Sequence, residues 1–186
     1  MNITVYLGSR DGNDPLYTEM AKDFGSWIGR NNHTLIYGGS KTGLMGTLAR
    51  ATLSAGGRVV GVEPQDFIDN HFDQPGLTEL IVTPDMSTRR IVMIKRGDIF
   101  VAFPGGVGTL EEVAEIFCQI HLGHLRAPCL ILNVNGFYDT LRDLLLHMQE
   151  TDFYPASSSR LISFIKNKEE FYAALAARAA AVDSMN

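Results

Sequence analysis

The chain alternates short apolar runs with stretches whose apolar residues recur every three or four positions. Ile3 to Leu7, Thr34 to Tyr37, Val59 to Val62, Leu80 to Val82, Asp98 to Phe103 and Pro128 to Leu132 read as buried strands. Leu161 to Ile165 adds a last, edge strand. Between them lie helical patterns. Asp14-Pro15 signals a helix start, with Leu16, Met20, Phe24, Trp27 and Ile28 to bury before it frays at Asn31-Asn32. A second helix carries Leu44, Leu48, Ala51 and Leu53 and closes at Gly56-Gly57. Asp85 to Arg96 follows, with Met86, Ile91, Met93 and Ile94 as its apolar members. Leu110, Val113, Ala114, Phe117 and Cys118 mark a helix ending near Gly123. Phe137 to Met148 should bury Leu141, Leu144 and Leu145, and Lys168 to Ala181 is a closing alanine-rich helix. Glu63 to Thr78 has no convincing period and reads as a long loop, the kind that often serves as a functional flap.

Short strands alternating with amphipathic helices imply crossover units. The expected fold is α/β, a Rossmann-like three-layer αβα sandwich on a mostly parallel sheet, with residues 1–186 as a single nucleotide-binding domain. Ligands of such sheets bind beyond the carboxyl ends of the strands. Three glycine-rich loops, 8–12, 38–43 and 104–109, all follow strands and so converge on that edge. The last of them, Pro104-Gly105-Gly106-Val107-Gly108-Thr109, joins a buried strand to a helix start, where free N–H groups favour a phosphate. Unusually, Glu111 and Glu112 follow in what reads as the first helical turn, where a phosphate would repel them.

Composition narrows the function. A net charge of −5 gives no support to binding of nucleic acid or an anionic membrane surface. No apolar run reaches membrane-spanning length, and the opening run is short and lacks a basic start, so a cytoplasmic protein is expected. Cys118 and Cys129 lie in apolar runs and read as reduced core residues. His121 and His124 are three apart without a third ligand, so no metal is implied, and no redox cofactor either.

The dinucleotide fingerprint fails, because Glu111 stands where its third glycine belongs. The 38–43 loop lacks the glycine before Lys41 that a P-loop requires. Pro-Gly-Gly-x-Gly-Thr-x-x-Glu is more specific than either. With Gly8-Ser9, Tyr37-Gly38-Gly39, Gly43-Leu44-Met45-Gly46, Gly61-Val62, Pro64, Asp85-Met86-x-x-Arg89 and Leu132-Asn133-Val134, it resembles the LONELY GUY phosphoribohydrolases over nearly all of the chain.

That resemblance implies cleavage of the N-glycosidic bond of a nucleoside 5′-monophosphate, either a cytokinin riboside monophosphate such as N6-isopentenyl-AMP or plain AMP. Free base and ribose 5-phosphate are released, usually by a homodimer. It places the catalytic residues at Arg89 and Glu112 and the phosphate loop at Gly105, Gly106, Val107, Gly108 and Thr109. Arg90, Ser9, Gly39 and Met86 are further candidates for substrate binding. Members have often carried the label lysine decarboxylase, yet the chain has only five lysines, none in a recognisable pyridoxal-phosphate setting. Ser87 and Thr88 replace the family's usual His and acidic or amide residue, Arg90 replaces a common Lys, and His71 stands near an expected acidic contact. The phosphate and catalytic parts are intact; the base-facing parts have drifted.

A carboxylate near the anomeric carbon can stabilise an oxocarbenium-like state and take the proton of attacking water. Thr109-x-x-Glu112 also fits a capping box, in which Glu112 merely caps its helix. The flanking glycines and the resemblance favour the catalytic reading. The alternatives are a nucleosidase of other base preference and a non-catalytic nucleotide-binding module.

Overall fold

The computed structural model describes residues 1–183, so the last three positions of the expected 1–186 domain lie outside the described residues. Seven strands form one parallel sheet: β1 (Asn2–Tyr6), β2 (Thr34–Tyr37), β3 (Arg58–Pro64), β4 (Glu79–Thr83), β5 (Ile99–Ala102), β6 (Cys129–Leu132) and β7 (Ile162–Ile165). Their order is β4-β3-β2-β1-β5-β6-β7, with β1 aligned to β5 from Ile3↔Ile99 to Tyr6↔Ala102.

Period-two alternation along the strands divides the core. Ile3, Val5 and Leu7 face one layer, together with Phe24 and Ile28 of α1 (Pro15–Arg30), Leu44 and Leu48 of α2 (Gly43–Ser54), and Phe171 and Leu175 of α7 (Lys168–Asp183). Tyr6 faces the other layer, with Met93 of α4 (Met86–Arg96), Val113 and Ile116 of α5 (Val107–His121), and Leu145 of α6 (Asp139–Glu150). This is the three-layer sandwich the pattern predicts. Gly25 and Gly29 let α1 lie directly on α2: a Cβ on Gly25 would come within 2.8 Å of that of Ala51.

Several local expectations change. Five residues of the 63–78 loop form a short helix, α3 (Gln65–Asp69). The segment is tied down by the bridge Ser40↔Asp73 and by Lys41 N–H donating to Phe72 O at 2.9 Å. Leu144 is exposed, because α6 turns Leu145 and, in part, Leu141 and Met148 inward. Cys118 is exposed, not core, whereas Cys129 is buried in β6.

Strand order reverses between β1 and β5, and that reversal positions the site. The loops leaving the two strands part there, and Gly8 N–H donates to Pro104 O at 3.3 Å. A crevice opens at such a switch point by topology alone.

Candidate active site

The crevice is a cavity of about 740 Å³. The loops after β1, β2 and β5 and the end of β3 all reach it, through Gly8 and Ser9, Gly38 and Ser40, Gly105 to Thr109, and Glu63 and Pro64 respectively. Its lining combines the buried polar groups of Glu63, Arg89, Thr109 and Glu112 with the aromatic rings of Tyr17, Phe67, Phe72 and Phe137, the three phenylalanines being exposed.

α5 begins at Val107, with Gly106 as its N-cap and no side chain capping it. The N–H groups of Val107, Gly108 and Thr109 therefore have no partner within the helix. No acidic residue lies in the first turn. Glu111 and Glu112 stand in the second turn, not the first, so the anticipated clash with a phosphate disappears. The capping-box reading disappears as well, since Glu112 is engaged elsewhere.

Glu112 is buried and meets Arg89 Nη1 with Oε1 at 3.3 Å. Arg89, also buried, reaches it from α4, which Asp85 caps by accepting from Thr88 N–H at 2.7 Å. Arg89 Nε donates to Val62 O at 3.0 Å, and Nη1 lies 3.8 Å from Met86 Sδ. Gly38 is required here, because a side chain on it would occupy the place of Arg89 Nη2. Burial pushes the Glu112 carboxyl up to about 7, with Arg89 pulling the other way. Tyr6 lies on the same side of the sheet, its hydroxyl pushed up by burial and then by Glu112.

Ser9, Met86, Arg89, Glu112 and the run Gly105 to Thr109 thus share one cavity. Arg90 does not line it. Its guanidinium is held outside by Glu111 at 2.9 Å and Glu115 at 2.8 Å, bracing α4 against α5. Gly39 sits behind the lining, against the Glu63 carboxyl. His71 is also absent from the walls, which Phe67 and Phe72 form instead. Met45, buried in the core layer that holds α2, also lines the cavity. The sequence reading gave Glu63 no role in the site, because an acid after the apolar run Val59 to Val62 reads as the start of a loop. None of the five lysines lines the cavity.

A family model described as "Possible lysine decarboxylase" matches residues 45–175. A cytokinin riboside 5′-monophosphate phosphoribohydrolase of Rhodococcoides fascians is 43% identical over 163 residues, covering 87% of this chain and 82% of that one. The chain belongs to the LONELY GUY phosphoribohydrolase family. An Arabidopsis thaliana enzyme of the same name is 33% identical over 168 residues, covering 90% and 77% of the two chains. The molybdenum cofactor carrier protein of Chlamydomonas reinhardtii shares the family's fold, with a TM-score of 0.73 over 96% of this chain and 98% of that one. At 21% identity the likeness is one of fold alone.

Proposed function

We propose that this protein hydrolyses the N-glycosidic bond of nucleoside 5′-monophosphates, releasing free base and ribose 5-phosphate. Cytokinin riboside monophosphates such as N6-isopentenyl-AMP, and AMP itself, are its substrates. The observation that carries the reading is the buried Arg89–Glu112 pair, one helical turn beyond the free N–H groups of α5. The phosphate binds those N–H groups, which brings the ribose over the pair. As the bond to the base breaks, positive charge grows on the sugar and Glu112 stabilises it. Glu112 then takes a proton from the attacking water. Arg89 keeps Glu112 ionised and oriented. The names of the relatives agree with this chemistry.

The apolar side chains at the cavity mouth suit an adenine carrying an isoprenoid group. The protein works in the cytoplasm as one nucleotide-binding domain over residues 1–186; both cysteines are free, and no helix among the described residues is long and apolar enough to cross a membrane. It acts as a homodimer. Leu110, Ala114, Cys118 and Leu122 recur at four-residue spacing on α5 and its end, all exposed, an apolar stripe that a second copy would cover.

The test is chromatography of products from AMP, N6-isopentenyl-AMP, GMP, CMP and phosphate-free adenosine. Base release from the first two and none from adenosine is expected. Preferred release from GMP or CMP would move the reading to another base. No release from any, by protein that nucleotides still stabilise against melting, would make it a binding module.

A further inference from the structure

Glu63 has no part in the chemistry above, yet it is the least supported polar group near the cavity. It is 1% exposed, lines the cavity with Arg89 and Glu112, and its buried Oε1 has no hydrogen-bond partner. Oε2 lies against Gly39, where a Cβ would come within 2.7 Å of it. A buried carboxylate without such bonds is strongly disfavoured in its ionised form.

One cation stands beside two carboxyl groups. Arg89 pairs with Glu112 and spends its Nε on Val62 O, the carbonyl just before Glu63. Among the described residues no ion pair joins Glu63 to any cation. The other charges facing it are acidic, Asp73 and Asp66, and the Tyr37 hydroxyl is committed to Gly39 O at 2.9 Å. Electroneutrality therefore gives Arg89 to Glu112 and a proton to Glu63. Burial accordingly pushes the Glu63 carboxyl up to about 7, opposed by Arg89.

Topology places Glu63 at the far end of the substrate. Neighbouring strands lie about 4.8 Å apart, and β3 is three places from β5, so Glu63 stands roughly 14 Å along the sheet edge from the phosphate loop. A nucleotide with its phosphate on α5 and its anomeric carbon over Arg89–Glu112 directs its base toward β3.

We infer that Glu63 is a further catalytic residue, the acid that protonates the departing base, and that the base it serves is a purine. The inference rests on the hydrolase reading above. As the C1′–N9 bond breaks, its electron pair passes into the purine ring and the Glu63 proton moves to N7, so the base leaves neutral. The water oxygen bonds to C1′, and the proton it sheds goes to Glu112. Solvent then reprotonates Glu63 and deprotonates Glu112. A pyrimidine offers no comparable basic ring nitrogen beside the bond.

The test compares AMP with 4-nitrophenyl ribofuranoside 5-phosphate, whose leaving group needs no proton. In Glu63→Gln, kcat on AMP falls at least about 100-fold, while the loss on the nitrophenyl substrate stays under about tenfold. In the wild type, kcat on AMP falls above about pH 7 and the nitrophenyl rate does not, which needs no variant. Equal losses on both substrates, an undiminished rate on AMP, or identical pH profiles would overturn the role of Glu63. Wild-type protein that cleaves neither substrate would overturn the hydrolase reading, and this inference with it.

Discussion

On the proposed mechanism three side chains, Arg89, Glu112 and Glu63, hold most of the chemistry. The first two were legible in the sequence because each sits in a motif of fixed spacing. Glu63 was not, because the apolar pattern of its strand ends at Val62 and an acid beyond it reads as the start of a loop. Arg89→Ala leaves Glu112 buried without its cation, so turnover should fall by about 10²-fold or more, and stability by about 3–5 kcal/mol. Steady-state kinetics and denaturant unfolding check both effects; a near-normal rate would remove Arg89 from the reaction. The two raised carboxyls also set a pH dependence of stability. The folded chain holds protons that the unfolded chain releases near 4.5, so this contribution is complete below about pH 4.5 and lost as pH rises through about 7. Glu63→Gln should therefore raise Tm at pH 8, by roughly 3–6 °C for about 1–2 kcal/mol, and change it little at pH 5. Calorimetry at the two pH values decides it. The proposed mechanism needs Glu112 ionised and Glu63 protonated, so kcat on AMP should follow a narrow bell centred near pH 7.

At the level of elements, the strands and most helices were readable because their apolar periods are strong. α3 was not, since five residues are too few to show a period. The apolar positions of α5 were read correctly as helical but not by face. Val113 and Phe117 are buried, while Leu110, Ala114 and Cys118 point outward, a distinction that only the packing of α5 on the sheet can make. The start of α5 yields its own prediction. Gly108 has nothing within 4 Å of a built Cβ and no positive φ, so Gly108→Asp should fold. A carboxylate there suits the helix dipole, adding about 0.5 kcal/mol, yet opposes a phosphate on the same N–H groups. Tm should rise slightly while KM for AMP rises tenfold or more. An unchanged KM would place the phosphate elsewhere.

Strand order belongs to the whole molecule. Convergence of the glycine loops on one edge could be inferred from alternation alone, but the reversal between β1 and β5 depends on how α4 carries the chain from the β4 edge back across the sheet. The same is true of Arg90, which looked like a substrate contact beside Arg89 and instead ties α4 to α5. Assembly is the remaining property at this scale. Ala114→Arg puts a charge in the middle of the apolar stripe on α5 and should convert a dimer into a monomer in sedimentation velocity. A dimer that persists would put the interface on another face.

The central claim is that Glu112, paired with Arg89, performs hydrolysis of the ribose–base bond. The most direct test is chromatography of free base and ribose 5-phosphate from N6-isopentenyl-AMP, with wild type and Glu112→Gln side by side and nucleotide-dependent melting as a binding control. Base release by the wild type, with loss of about 10²-fold or more in a variant that still binds nucleotide, is the predicted result. Equal base release by both proteins would contradict the account.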